Sequence, residues 1–430
     1  MKLSVIGVGH VGLVTAACFA RKGHKVVGVD ADEKKITLLQ KGKTPFYEPG
    51  LEELVQSGLK EKKLVFTTSI REGVKEGEVI FICVGTPPLE SGEADLSYVE
   101  KVAREIGKWL NEYRLIVEKS TVPVETGEWI ERTIRLTAPE GVDFDVGSNP
   151  EFLREGQAVK DFMEPDRIVI GVENERAKKI LEELYRDFEA PKIFTNIRTA
   201  ELIKHASNAF LATKISFINA VAEVCERVGA DVRMVAKAMG MDPRIGPHFL
   251  QAGAGFGGAC FPKDLDAFLK LAENKGYDFK LLKVVKEIND TQRKKILKKI
   301  KEEVWILKEK RVAILGLSFK PGTDDIRNSP AEDLILALLK EGAQVRAYDP
   351  VAIPPMREKF PQVFYAQDPY QASEGAEAVV ILTEWEEFKN LDLGRLKKLM
   401  NRGVIVDGRN LLEPEKVRAY GFIYRGVGVG

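Results

Sequence analysis

Val5-Ile6-Gly7-Val8-Gly9-His10-Val11-Gly12-Leu13-Val14 is the stretch that decides the fold. The apolar run Leu3–Ile6 leads directly into Gly7-x-Gly9-x-x-Gly12, and a helical pattern follows at once. Glycines at this spacing permit a tight turn, close approach of the backbone to a pyrophosphate, and close packing of helix on strand. The helix N-terminus then faces the phosphates. Alone, the motif is weak. Here Asp30 ends the next candidate strand, Lys25–Val29, close to the distance of about 20 residues at which an acid binds a ribose 2′-hydroxyl. An acid at that point repels a 2′-phosphate, so NAD is expected rather than NADP; Lys35 is close enough to work against that preference.

Further candidate strands follow at Leu64–Thr67, Val79–Val84, Leu115–Lys119, Phe144–Gly147 and Ile168–Gly171. Continuous Val/Ile runs suit strands buried on both faces of a parallel sheet. Helical stretches between them predict a doubly wound α/β domain. From Ala200 to about Val228 the pattern becomes one long helix, with Leu202, Ile203, Phe210, Ile218, Val221 and Val224 near the 3.6-residue period and Thr199 as the expected N-cap. Its length, roughly 40 Å at 1.5 Å per residue, exceeds what one domain requires and suits a spine between domains or a dimer interface. After about residue 308 a second α/β pattern begins with Arg311–Leu315, Gln344–Tyr348, Ala378–Leu382 and Val404–Val406, and Ser329-Pro330-Ala331-Glu332 reads as a capping box. The expected fold is therefore α/β: two Rossmann-like doubly wound domains, residues 1–198 and 305–430, joined by a central helical domain at 199–304.

Composition narrows the function. Lys plus Arg and Asp plus Glu number 65 each, so the 430-residue chain has no net charge and no electrostatic footprint for nucleic acid or an anionic membrane. Of the four cysteines, Cys18, Cys83 and Cys225 sit among apolar residues. No cysteine or histidine spacing suggests a disulfide framework or a metal site, so no metal is expected, and a reducing cytoplasm is the expected location. The apolar run Leu3–Ala20 superficially resembles a signal peptide, but the glycine array and His10 fit the dinucleotide fingerprint better. No uninterrupted apolar stretch reaches the ~20 residues of a membrane helix. The Lys- and Glu-rich 30% charged content is of the kind associated with heat adaptation.

Chemistry concentrates in Gly253-x-Gly255-Phe256-Gly257-Gly258-Ala259-Cys260-Phe261-Pro262-Lys263-Asp264. The glycines make a loop that approaches a ligand closely, and Pro262 suits the first turn of a following helix. Cys260 then stands beside a helix N-terminus with Lys263 nearby, both favouring the thiolate; the bland alternative is a buried structural cysteine. Asp264 lies one turn from Cys260. Lys204 and Asn208, four apart on one helix face, are suited to stabilise an oxyanion unless they are simply solvated. Loops after parallel strands lie at the ligand crevice. That places Glu151 and Glu155 of Asn149-Pro150-Glu151-Phe152-Leu153-Arg154-Glu155 there, unless they are ordinary helix-start acids, and Ser120-Thr121-Val122-Pro123 by the same logic. Gly316-Leu317-Ser318-Phe319-Lys320 lacks the full fingerprint; Lys320 either meets a phosphate or is a surface lysine.

Taken together, GVGHVG, CVGTPP, EKSTVP, SNPEFLREG, the Lys204–Asn208 helix, GFGGACFPKD and FKPGTDDIR resemble the UDP-glucose/GDP-mannose dehydrogenase family over essentially the whole chain. The resemblance implies NAD-dependent, four-electron oxidation of UDP-glucose at C6 to UDP-glucuronate. GDP-mannose is the alternative substrate, and Phe261 and the GFGG loop favour UDP-glucose. Ala259 stands where serine is usual. In this reading Cys260 forms a thiohemiacetal and then a thioester. Lys204 and Asn208 hold the oxyanion, Asp264 handles protons through water, and Glu151 with Thr121 positions the hydrolytic water. The implied NAD contacts are Gly7, Val8, Gly9, His10, Val11, Gly12, Asp30, Lys35, Thr86, Thr121, Glu155, Lys263 and Arg327. The implied sugar-nucleotide contacts are Glu151, Phe152, Leu153, Lys204, Asn208, Phe249, Gly253, Gly257, Cys260, Phe319, Lys320 and Arg409. Arg244 would reach into a neighbouring subunit, making a homodimer the minimal active unit. By the same resemblance the first domain binds NAD, the central one dimerises and carries the cysteine loop, and the last binds the UDP-sugar.

Overall fold

The computed structural model describes residues 1–429. Eight strands form the first sheet: β1 (Lys2–Ile6), β2 (Lys25–Val29), β3 (Leu64–Thr67), β4 (Val79–Ile82), β5 (Arg114–Glu118), β6 (Phe144–Ser148), β7 (Ile168–Val172) and β8 (Lys192–Thr195). Their order is β3-β2-β1-β4-β5-β6-β7-β8. The sheet is parallel except where β7 runs antiparallel to β6. The second sheet holds β9 (Arg311–Leu315), β10 (Gln344–Tyr348), β11 (Phe364–Tyr365), β12 (Ala378–Ile381), β13 (Val404–Asp407) and β14 (Ile423–Arg425), in the order β11-β10-β9-β12-β13-β14. Each sheet changes direction of growth at its first strand, between β1 and β4 and between β9 and β12. That crossover opens the crevice in which doubly wound folds bind ligands.

The continuous apolar runs are explained by burial on both faces. In β4, Val79 and Phe81 join one apolar cluster and Ile80 and Ile82 another, because successive side chains point to opposite sides. The expected strands agree with the observed ones to within two residues at either end. Edge strands β8, β11 and β14 were not anticipated. β11 has only two residues, and β8 is nowhere fully buried, so neither leaves a strong apolar signature.

The chain packs as two compact units. One comprises residues 1–207 and 266–277, the other 208–265 and 278–430. The long helix spans Ile197–Val228, ending where the sequence predicted. Its start is a correction: the helix begins before Thr199, and it is the Asn196 side chain that accepts the Thr199 amide at 2.8 Å. The capping box is corrected too. Ser329 caps the helix Pro330–Lys340 through the Ala331 amide, but Glu332 pairs with Lys359 instead of reaching back. No helix among the described residues is long and apolar enough to cross a membrane.

Candidate active site

In the first unit, the Gly7–Gly12 turn has the shape a pyrophosphate needs. A Cβ on Gly12 would meet the Gly7 carbonyl oxygen at 1.8 Å, whereas a Cβ on Gly9 would find nothing within 4 Å. The first glycine lets helix pack on strand; the second leaves open space above the turn. The helix His10–Arg21 begins immediately, and no side chain among the described residues caps it. Its first amides are thus available to an anion, so the residues fit a dinucleotide. Asp30 accepts the Val8 amide at 3.0 Å and pairs with Lys35 at 2.7 Å. His10 stacks on Phe46, centroids 3.8 Å apart.

Two loops after neighbouring strands complete this unit's share. After β5, the Thr121 carbonyl accepts the Thr86 hydroxyl at 2.8 Å. After β6, Glu151 pairs with buried Lys204 at 3.0 Å and accepts the Leu153 amide at 2.5 Å. The Lys204 ammonium also lies 5.4 Å from the Phe152 ring, over whose face Arg167 sits. Glu151, Phe152, Leu153 and Lys204 thus lie together, while Thr121 stands on the neighbouring loop after β5. The segment 149–156 is not helical, so Glu151 and Glu155 are not helix-start acids.

In the second unit, Cys260 directly precedes the helix Phe261–Asn274 and is exposed, while the other three cysteines are buried. Burial pushes Cys18 and Cys83 each up to about 12, leaving them inert. Asn208 donates to Asp264 at 2.6 Å, and Lys263 pairs with Asp264 at 2.8 Å. The glycine ribbon leading to Cys260 is clamped from several sides. Asn219 accepts the Gly253 amide at 2.8 Å, and Asn289 brackets both backbone groups of Phe256. A Cβ on Gly257 would strike the Asn328 carbonyl oxygen at 2.2 Å. Arg409 ties three loops together, donating to the carbonyls of Leu382, Gly255 and Phe319. Lys320 lies over the Phe319 ring, and the Phe249 and Phe261 rings are 6.3 Å apart. Arg327 is held by Asp325 in a bidentate pair. Arg244 stands apart on the surface, its guanidinium clamped by Asp242.

Several residues with evident work were not picked out from sequence. Glu48, in Thr44-Pro45-Phe46-Tyr47-Glu48-Pro49-Gly50, accepts the amides of Gly156 and Ala158 at 2.6 and 2.8 Å and so anchors the end of the Glu151 loop. An acid set directly before Pro49-Gly50 was the available signal. Lys119, wholly buried, donates to Asn149, and burial pushes its ammonium below the ordinary lysine range. Asn219 and Asn289 are polar residues set inside apolar helical faces, which is itself a cue.

Known proteins match the chain domain by domain. Residues 1–189 match the NAD binding domain of the UDP-glucose/GDP-mannose dehydrogenase family, 198–291 its central domain, and 313–414 its UDP binding domain. The chain is 49% identical to the UDP-glucose 6-dehydrogenase TuaD of Bacillus subtilis, covering 99% of this chain and 93% of that one. It is 47% identical to the UDP-glucose 6-dehydrogenase of Rhizobium meliloti, covering 100% and 99%. The solved structure of a UDP-glucose dehydrogenase from the hyperthermophilic archaeon Pyrobaculum islandicum superposes with a TM-score of 0.94 at 42% identity, covering 100% and 98%. With an NAD fold, a cysteine-bearing glycine ribbon and a second nucleotide fold each matched in order, the chain belongs to the UDP-glucose/GDP-mannose dehydrogenase family and is an NAD-dependent oxidoreductase.

Proposed function

We propose that the protein oxidises the C6 alcohol of UDP-glucose to the carboxylate of UDP-glucuronate through a thioester on Cys260. The observation that carries the reading is the setting of that cysteine: exposed, at a helix N-terminus, one turn from a buried Asp264 that is hydrogen-bonded to Asn208. Identity of 49% and 47% to two UDP-glucose 6-dehydrogenases supports UDP-glucose as the substrate. The stoichiometry is one alcohol, two NAD and one water giving one carboxylate, two NADH and their protons. NAD bound on the Gly7–Gly12 turn supplies the hydride acceptor for each oxidation.

The chain's own residues do the rest. Loss of the first hydride, with the hydroxyl proton passing through water toward Asp264, leaves an aldehyde. The Cys260 thiolate adds to it, forming the carbon–sulfur bond of a thiohemiacetal whose oxygen is held by Lys204 and Asn208. Loss of the second hydride yields the thioester. Water positioned by Glu151 and Thr121 then attacks, and the carbon–sulfur bond breaks to return the thiolate. Asp30, Lys35, Thr86, Glu155, Lys263 and Arg327 serve the cofactor. Phe152, Leu153, Phe249, Gly253, Gly257, Phe319, Lys320 and Arg409 serve the sugar nucleotide. Residues 1–198, 199–304 and 305–430 divide the labour into cofactor binding, the cysteine loop with dimerisation, and UDP-sugar binding. For a homodimer, the support is an exposed apolar stripe on the long helix, Phe210, Phe217, Val224 and Val228, spaced by seven, seven and four. Arg244 would act across that interface.

The test is NADH stoichiometry with purified UDP-glucose. Two NADH per substrate are expected from the native protein, and Cys260→Ser should form no thioester and release no UDP-glucuronate at the native rate. Two NADH and full acid production by that variant would refute the cysteine's role, and turnover of GDP-mannose alone would refute the substrate.

A further inference from the structure

No step above uses Glu201 or His205, yet both are buried on the turn of the long helix that carries Lys204, each with 2% of its surface exposed. Glu201 accepts two backbone amides where one loop enters the helix Thr126–Thr137, from the N-cap residue Glu125 at 2.8 Å and from Gly127 at 2.8 Å. The Nε2 of His205 hydrogen-bonds the Val122 carbonyl at 2.7 Å. The loop so held is the one that begins at Thr121.

Its conformation depends on being held. Glu125 has φ +83°, in the left-handed region that a non-glycine residue avoids. Gly127 admits the long helix closely: a Cβ there would meet Ile197 at 2.5 Å and the Glu201 carboxylate at 3.5 Å. The same helical turn reaches the other loop of the site through the Lys204–Glu151 pair. Residues 201, 204 and 205 share one side of a helix, so a single rigid turn sets the spacing of both loops to Lys204.

We propose that Glu201 and His205 are positioning residues that fix the Thr121 loop in register with Lys204 for hydrolysis of the thioester. The inference rests on the reading of Thr121 and Lys204 given above. Bonds from a carboxylate to backbone amides are the strong, charge-assisted kind, and a misplacement of about 1 Å at a reacting centre costs as much as a hundredfold in rate. Neither side chain touches substrate or cofactor in this scheme. Their loss should therefore appear in turnover and not in UDP-glucose binding.

Glu201→Gln keeps the size of the side chain but turns one acceptor into a donor facing an amide N–H. Expected with UDP-glucose and NAD are a kcat lowered about tenfold or more, a KM for UDP-glucose within about twofold, and faster hydrogen exchange at the Glu125 and Gly127 amides. His205→Phe should lower kcat similarly, and His205→Gln, which keeps an N–H donor, should recover at least half of that loss. The His205 pair carries the test if Glu201→Gln does not fold. Unchanged kcat in Glu201→Gln and His205→Phe, unchanged exchange at the two amides, or a Gln variant as impaired as the Phe variant would each overturn the proposal. Failure of the thioester reading is separable: it shows as two NADH from Cys260→Ser and leaves the exchange result standing.

Discussion

The two sheets share a core order, β3-β2-β1-β4-β5 against β11-β10-β9-β12-β13, and in each an aspartate directly follows the second strand. The first strand's loop donates amides to that aspartate in both: Val8 to Asp30, and Leu317 and Ser318 to Asp349. There the likeness stops. Asp30 keeps 14% of its side chain exposed and has Lys35 as its neighbour. Asp349 is sealed, taking hydrogen bonds from the Leu317, Ser318, Val351 and Ala352 amides, the Ser318 hydroxyl and the Trp385 indole. The helix after β1 starts at His10, whereas the one after β9 waits until Pro330. One topology and one acid therefore yield two chemistries. The first loop offers a helix end without a side-chain cap and a reachable carboxylate; the second uses its carboxylate to brace a longer loop that bears Phe319 and Lys320.

Breaking the bracing should have the largest effect. Asp349→Ala leaves several buried donors unsatisfied, and we expect a loss of about 4 kcal/mol in stability by chemical denaturation. Asp30→Ala, at a partly exposed site, should cost under about 1 kcal/mol. Equal losses would erase the distinction drawn between the two acids.

Filling the open space comes next. Gly9→Val puts a branched side chain where a Cβ meets nothing within 4 Å. NAD affinity measured by calorimetry should fall about a hundredfold, roughly 2.7 kcal/mol, with UDP binding within twofold. A variant that still binds NAD normally would mean that the pyrophosphate does not lie over this turn. Asp30→Asn should act more gently: an NAD affinity about tenfold weaker, roughly 1.4 kcal/mol, with relaxed discrimination against NADP, since Lys35 loses its partner. Unchanged preference between the two cofactors would remove Asp30 from the ribose site.

How much of this was legible in advance divides along the same line. Features written in contiguous residues were readable: the Gly7–Gly12 turn with Asp30, the strands buried on both faces, the helix ending at Val228, and the glycine ribbon ahead of Cys260. Asp349 and Glu48 were not, because their partners are backbone amides far away in sequence, at 317–318 and at 156–158. A backbone amide has no residue signature, so only the folded chain reveals which acid it serves. Glu201, which also serves backbone amides, and His205, whose partner is the Val122 carbonyl, escaped because a backbone group of either kind carries no residue signature. The cap at Asn196 was missed because Thr199, an equally good capping residue, stood next to the first strongly periodic position.

The smallest expected effect concerns a second pair of acids at matching places, the last residues of β5 and β13. Asp407 is pushed up by burial but accepts the Arg409 and Leu412 amides and the Tyr424 hydroxyl. Burial, with Glu201 nearby, pushes Glu118 well above the carboxylate range, and its Oε1 has no hydrogen-bond partner among the described residues. For an acid raised in the folded state, folding favours the protonated form. Its contribution to stability is whole below the ordinary value near 4.5, is lost as pH rises toward the folded-state value, and is constant beyond it. Glu118→Gln cannot ionise, so its denaturation midpoint should fall less than that of the native protein between pH 5 and pH 8. Asp407→Asn, by contrast, turns an acceptor toward donors and should lose stability at both pH values. If Glu118→Gln keeps the native slope, the buried carboxyl of the first sheet titrates no differently when folded, and the two strand ends are equivalent after all.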